Sequence, residues 1–292
     1  MSSDYITKIK ANISIYASKK TGNILDGTYT SIFMGRSLNF EDLREYIPGD
    51  SIRDIDWKAS SRSRNLLVKR YVAEKKHNVL FVLDTDIKMN ADTALGSNKK
   101  ETALYTVGTA AYLAYKNGDT VGAIFNNDGM VQYFPFKTGL INVENILAQA
   151  DKKLCEGTSN NLNKSLDYII NNFRRKMIIF IITDMRGVNS INEATLKRLM
   201  CRHDVLVMNV SDTEITGSGS SYNVEGNSYI PSFIRNNKKL MKLEKEHIEE
   251  IKTANTRKLI KYGIMDTEIN DKSEIVEKFI DLLERHKNAN LR

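Results

Sequence analysis

The sequence predicts an α/β fold built on a doubly wound, mostly parallel sheet, with an N-terminal β-rich extension. Three observations lead there. Asn78–Leu83, Met177–Thr183 and Asp204–Val210 are short continuous apolar runs, the pattern of strands covered on both faces. The segments between them carry apolar residues at helical spacing, so strands alternate with helices. Asn126-Asn127-Asp128-Gly129 joins two short apolar runs as a hairpin turn, which adds one antiparallel edge strand.

The 292 residues suit one large domain or two small ones, and 41% hydrophobic with 27% charged residues suits a globular chain with a real core. The division read from the sequence is an N-terminal helix or arm at 1–20, a β-rich segment at 21–76 packed on the main domain, and the α/β domain at 77–290. No apolar run reaches 18 residues, and the first 20 residues lack the apolar centre of a secretory signal. Cys155 and Cys201 form no Cys-x-x-Cys pair and read as reduced thiols. These features together predict a cytoplasmic protein without a transmembrane segment.

Along the chain, residues 4–19 suit a short helix, and 21–38, rich in Gly, Thr, Ser and Tyr, an extended segment. Asn39 before Phe40–Tyr46 suggests a helical turn with an Asn cap and early acids. Pro48-Gly49 suits a type II turn, because Gly accepts positive φ at the third position. Leu66–Ala73 alternates as a strand does. After Asn78–Leu83 comes a helix at Lys99–Tyr115, with Ala103, Leu104, Val107, Ala110, Ala111 and Ala114 on one face. Thr120–Phe125 and Met130–Phe136 form the hairpin. Leu140–Leu154, Asn160–Phe173 and Ser190–Cys201 read as helices. Gly217–Ser221 reads as a flexible loop. Lys242–Tyr262 is a charged amphipathic helix ended by Gly263. Ile264–Ile269 and Ser273–His286 close the domain as strand and helix.

The stretch from Gly35 to Arg62 holds Gly35-Arg36, Phe40, Arg44, Tyr46, Pro48-Gly49-Asp50, Arg53, Ile55-Asp56-Trp57, Ser60 and Arg62 at fixed intervals. It resembles the signature of the bacterial and archaeal domain of unknown function 58 family. The strand ending at Asp84, the hairpin, the Gly-Thr-Ser-Asn loop at 157–160 and the strand ending at Asp184 follow that family's order, so the resemblance covers roughly residues 20–287. It implies a von Willebrand factor A-like domain and a MoxR-type AAA+ ATPase as protein partner. Many members carry transmembrane helices upstream, and this chain reads as one of the short soluble forms.

Domains of that type often hold Mg²⁺ through Asp-x-Ser-x-Ser after the first strand, a Thr in a later loop and an Asp ending a middle strand. Such an ion needs oxygen ligands in near-octahedral array. Here the resemblance matches Asp84 and Asp184, but the two Ser positions hold Asp86 and Lys88, and the Thr position falls on Asn160, with Thr158 and Ser159 beside it. A protonated lysine has three donors and no acceptor, so Lys88 cannot be a ligand. The expectation is a degenerate metal site at Asp84, Asp86 and Asp184 with Lys88 in place of the ion. The alternative is a weak cation on the acids with Lys88 pointing to solvent. No cofactor is expected, and Mg²⁺ is the one cation left open.

In the signature itself, Arg44, Arg53 and Arg62 recur every nine residues among Glu45, Asp50, Asp54 and Asp56. Arginine forks meet carboxylates bidentately, so a half-buried ion network is the first expectation and a docking surface the second. Trp57, the single tryptophan, is placed in the core, with an interface anchor as the alternative.

Phosphate-loop, dinucleotide, zinc-protease and nucleophile-elbow motifs are absent, and His77, His203, His247 and His286 are dispersed. The leading expectation is a non-enzymatic adaptor that works with a MoxR-type ATPase in assembly or maturation of a client. One rival is a metal-dependent enzyme using Asp84, Asp86 and Asp184. The other is a basic binder of nucleic acid or acidic surfaces, since net charge is +7 and residues 51–76 hold eight Lys/Arg against three Asp/Glu. Few aromatics interleave those charges, so nucleic acid is not expected as a partner.

Overall fold

A computed structural model describes residues 2–19, 38–63, 65–73, 76–127, 129–157, 160–216, 222–224, 226 and 228–290. The extended segment expected at 21–37 (with Gly35 and Arg36 of the signature), Asp128, Thr158, Ser159 and the loop at 217–221 lie outside the described residues. The chain divides into two compact units, 33–77 and the remainder.

The smaller unit is a two-stranded antiparallel ribbon of β1 (Leu38–Glu45) and β2 (Leu67–Ala73) with a bulge between Phe40 and Asp42. The helical turn expected at Phe40–Tyr46 is therefore a strand. An Asn cap and two acids are a weak local preference, and a one-turn helix is marginal alone. Pairing with β2 supplies the backbone hydrogen bonds instead. Pro48-Gly49 makes the expected turn: Gly49 has φ +112° and the Asp50 amide donates to the Ile47 carbonyl at 3.0 Å. A one-turn helix, α2 (Trp57–Ser60), follows, with Asp56 accepting from the Lys58 and Ala59 amides.

The larger unit is a six-stranded sheet between helices. Its strands are β3 (Asn78–Leu83), β4 (Thr120–Asn127), β5 (Met130–Lys137), β6 (Ile178–Asp184), β7 (Asp204–Val210) and β10 (Met265–Ile269), and their spatial order is β10-β7-β6-β3-β4-β5. All neighbours are parallel except the β4–β5 hairpin. Counted within the sheet, the order is 3-2-1-4-5-6, the doubly wound arrangement whose chain reverses direction between the first and fourth strands. Those strands are β3 and β6. Both are buried nearly throughout, which explains their unbroken apolar sequences.

The helices are α1 (Ser2–Lys19), α3 (Lys99–Lys116), α4 (Leu140–Glu156), α5 (Leu162–Asn172), α6 (Met185–Ser190), α7 (Glu193–Met200), α8 (Ser232–Arg235), α9 (Lys238–Lys261) and α10 (Ile275–Asn290). A minor ribbon, β8 (Tyr222–Asn223) with β9 (Ser228–Tyr229), precedes α8. One face of the sheet sets Leu80, Val82, Ile179, Ile181, Val205 and Val207 against α5, α7 and Leu259 of α9. The other stacks Phe81 on Phe180 at 5.5 Å and Phe180 against Phe279 of α10. The helix expected at Ser190–Cys201 is α7, which starts at Glu193 because the chain is extended at Ile191 and Asn192, and a further short helix, α6, precedes it directly after β6.

Helix α1 lies outside this layer and touches α3, α4 and α10. Its Ile6, Ile9 and Ile13 fall at i, i+3 and i+7 and are buried. Burying each contributes roughly 1.5–3 kcal/mol. A Cβ on Gly108 of α3 would overlap Ile9 Cδ1, so the two helices approach this closely because position 108 has no side chain.

Candidate functional site at the carboxyl edge of the sheet

The crevice of a doubly wound sheet opens at the carboxyl ends of the strands flanking the reversal point. Asp84 directly follows β3 and Asp184 ends β6, so the register of these neighbours brings the two acids together. The Asp84 amide continues the ladder by donating to the Ile182 carbonyl at 2.9 Å. After Asp84 the chain turns through one turn of 3-10 helix, Ile87–Asn90, capped by the Asp86 side chain. That turn brings Lys88 back over the strand ends.

Lys88 Nζ stands 3.1 Å from Asp84 Oδ2 and 3.4 Å from Asp184 Oδ1. Burial alone would lower the Lys88 pKa, but the charges of Asp84 and Asp184 outweigh it and hold the ammonium well above its ordinary value. A second lysine joins from the first turn of α3. Lys99 is wholly buried, and its Nζ donates to Asp184 Oδ2 at 2.9 Å and to Asp212 Oδ1 at 2.6 Å. The site therefore holds two ammoniums, from Lys88 and Lys99, among the carboxylates of Asp84, Asp86, Asp184 and Asp212.

The remaining donors are backbone amides and hydroxyls. Asp84 Oδ1 accepts from the Asp86 amide at 3.1 Å and Oδ2 from Thr183 Oγ1 at 2.6 Å. Asp184 Oδ1 accepts from the Gly187 amide at 2.7 Å. Asp86 accepts from the Lys88 amide at 3.1 Å and, through Oδ2, from the Asn160 amide at 2.7 Å. Burial pushes the Asp184 carboxyl up, but Lys99, Lys88 and the Gly187 amide more than offset it, and the group stays ionised below the usual carboxylate range. Asp212 goes the other way. Burial and the adjacent Asp184 charge raise it more than Lys99 lowers it, and its Oδ2 is buried without a hydrogen-bond partner among the described residues.

This donor set does not fit Mg²⁺. Both oxygens of Asp84, Asp86 and Asp184 already accept hydrogen bonds or face an ammonium, and Lys88 Nζ stands between the two acids that a divalent ion would bridge. No group of three or more acidic, His or Cys side chains among the described residues could hold a metal. Asn160 donates rather than ligates, sending its amide to Asp86 and its Nδ2 to the Thr85 carbonyl at 2.9 Å. Lys88, Asn160, Asn161, Lys164 and Ser190 line an open polar cleft of about 630 Å³ beside the cluster.

Sequence reasoning missed Lys99, Asp212 and Thr183. One signal was available for the first: a lysine in the opening turn of a helix opposes the macrodipole and needs a reason. Asp212 stands two residues beyond β7, much as Asp84 stands just beyond β3.

In the smaller unit, of the ion network expected among Arg44, Arg53 and Arg62, the described residues show the pair Arg44 Nη2 to Asp50 Oδ1 at 2.6 Å. The hydrogen bond to Arg44 and the Ile47 amide hold the Asp50 carboxyl below its usual range. Arg53 and Arg62 are exposed, and Asp56 serves as a helix cap with Lys69 Nζ at 3.6 Å. Trp57 is 62% exposed and not in the core. It stands at the first position of α2, a helix of a single turn. Tyr46 is half-buried, and Pro48 and Gly49 form the exposed turn. Cys155 and Cys201 are both free and exposed, and Lys100 Nζ lies 2.7 Å from Cys155 Sγ.

The family model described as Protein of unknown function DUF58 matches residues 42–224, more than half of the chain. The chain belongs to this family. Among curated proteins it is similar to Uncharacterized protein Rv1480 of Mycobacterium tuberculosis and Uncharacterized protein Mb1516 of Mycobacterium bovis. Each is 23% identical over 203 residues, which is 68% of this chain and 63% of the relative. The chain thus spans less than two thirds of the length of these relatives. Among solved structures it is similar to the conserved hypothetical protein BatB from Bacteroides thetaiotaomicron, at 15% identity and a TM-score of 0.47, over 73% of this chain and 99% of that one. A von Willebrand factor type A structure from Catenulispora acidiphila gives 10% identity and a TM-score of 0.38, over 75% and 43%. No helix among the described residues is long and apolar enough to cross a membrane.

Proposed function

We propose that this DUF58 protein is a non-enzymatic interaction module that docks a protein partner through its signature segment. The observation that carries the reading is Trp57, 62% exposed, with Ile47 at 60% and Ile52 at 66% in the same short stretch. Large apolar side chains left in water on a stabilised turn are what an interface anchor requires. The Arg44–Asp50 pair and the Asp56 cap fix the backbone that presents them. At the carboxyl edge of the sheet, the acids that would serve as metal ligands or as acid and base are held by Lys88 and Lys99, which supports an adaptor over a hydrolase. The partner proposed from the signature's resemblance is a MoxR-type AAA+ ATPase, with assembly or maturation of a client as the task.

The test is affinity capture of tagged protein from its native cells, with and without EDTA, for the wild type and Trp57→Ala. Recovery of an AAA+ ATPase by the wild type in both buffers, and its loss from Trp57→Ala, is the expected result. Recovery only with divalent metal present would restore the metal-site reading. Absence of the ATPase from every sample would remove the proposed partner.

A further inference from the structure

Helix α9 is too long for the sheet it covers. Its 24 residues span roughly 36 Å, while the five residues of the strand it leads into, β10, span about 17 Å. The buried residues of α9, Asn255 and Leu259, lie in its second half. Glu244 marks where the helix leaves the body: its carboxylate accepts the Ile215 amide at 2.6 Å and the Thr216 amide at 2.9 Å, just beyond the end of β7. Residues before Glu244, together with α8, therefore project past the carboxyl edge of the sheet.

The projection has a distinct chemistry. Arg235, Lys238, Lys239, Lys242 and Lys245 lie within eleven residues; the single acid among them, Glu244, is committed to the 215–216 amides, and Glu246 just beyond stands 3.6 Å from Lys242 in an exposed pair. Phe233 is 75% exposed and Leu243 51%, with Tyr229 also exposed at the base of α8. Leu240 and Leu243 are neighbours at i, i+3, and Lys239 and Lys242 run beside them on the same side of the helix. We infer that this projection is a docking surface for an anionic lipid bilayer. Its apolar side chains enter the interfacial region and its lysines meet the headgroup charge.

Charge complementarity selects this occupant. Four of the five cations are lysines, compact point charges on flexible stems, which suit a diffuse negative field better than a planar, bidentate partner. The apolar groups project as separate tips on a convex helix end, and an aromatic ring beside lysines is the composition that lies at a membrane interface. The inference does not depend on the role proposed for Trp57, which lies in the other unit.

The experiment is co-sedimentation of the full chain with vesicles of phosphatidylcholine alone and of phosphatidylcholine with phosphatidylglycerol. Poly-glutamate binding is measured in parallel. Lys238→Gln/Lys239→Gln/Lys242→Gln and Phe233→Ala/Leu243→Ala change only exposed side chains, and circular dichroism checks that both stay folded. The wild type should bind the anionic vesicles and not the neutral ones, more weakly as salt rises. Each lysine neutralised should cost roughly fivefold in affinity, and the apolar double variant should also bind more weakly. Absence of binding to anionic vesicles, or binding that neither variant alters, would overturn the inference. Binding of poly-glutamate through the same lysines without vesicle binding would make the projection a site for an acidic protein and overturn it equally.

Discussion

Lys99 Nζ lies 2.9 Å from Asp184 Oδ2, 85 residues away in the chain, with none of its side chain open to solvent. A buried ammonium is tolerated only while its carboxylates are in place. Asp184 and Asp212 are in turn kept apart in charge by the ammonium between them.

Replacing Lys99 with Met should therefore destabilise the fold by about 3–5 kcal/mol, because the change removes the ammonium that Asp184 and Asp212 share and leaves only Lys88, on the Asp184 side. Urea unfolding of the variant measures it. The double change Lys99→Met/Asp212→Leu should recover part of the loss, since it removes the second charge as well.

If Lys88 stands in for a metal ion, the wild type should show no Mg²⁺ or Mn²⁺ binding at micromolar concentration by calorimetry. Lys88→Ser would take the ammonium away from Asp84 Oδ2 and Asp184 Oδ1, leaving them only the Thr183 hydroxyl and the Gly187 amide, and would offer a hydroxyl. That variant should gain measurable Mn²⁺ affinity. Micromolar binding by the wild type would end the substitution argument.

Asp271 gives the acid limb. The Ser97 hydroxyl and the Ser273 amide donate to its carboxylate at 2.5 and 2.9 Å and lower its pKa from 3.8 to about 2. A depressed carboxylate stabilises the fold above its unfolded value and loses that contribution as pH falls through its folded value. Asp271→Asn should flatten the dependence of the urea midpoint on pH between 3.8 and about 2.

Trp57→Ala should leave the melting temperature nearly unchanged, within about 0.5 kcal/mol of stability, as exposed substitutions do. The fluorescence of this single tryptophan should be red-shifted and open to acrylamide quenching in the free protein. Emission to the blue, with protection from quencher, would place the ring against a covering surface.

At Gly187, an added Cβ would overlap Thr183 Oγ1 and come within 2.8 Å of Asp84 Oδ2. Gly187→Ala should push α6 off the strand ends, cost the Asp184 carboxylate its amide donor, and lower stability by about 1–3 kcal/mol.

The parallel sheet was legible because β3, β6 and β7 are buried on both faces and so carry unbroken apolar runs. The edge hairpin was legible from Asn126–Gly129. Phe40–Tyr46 was not, because its partner strand lies more than 20 residues onward and its own residues offer a plausible helix cap. Asp84 and Asp184 were marked by their places at strand ends, and Asp86 and Lys88 by the resemblance of their loop to the family's metal-site motif. Lys99 was hidden because it opens a helix whose face was read only for its alanines and leucines. Trp57 was misplaced because a lone tryptophan is usually covered, and the sequence does not show that α2 is a single turn.

The strand order of the sheet has a consequence for the order of synthesis. Lys99 and Asp184 are made 85 residues apart and Lys99 and Asp212 113 apart. A nascent chain that has released β3, β4 and β5 therefore carries an ammonium with nowhere dry to go. Only when Asp212 clears the ribosome can Lys99 take up both of its carboxylates. The cluster thus acts as a latch that can close only after β7 has emerged, and a fragment ending short of residue 212 should remain open and protease-sensitive even though most of its apolar core residues are already present.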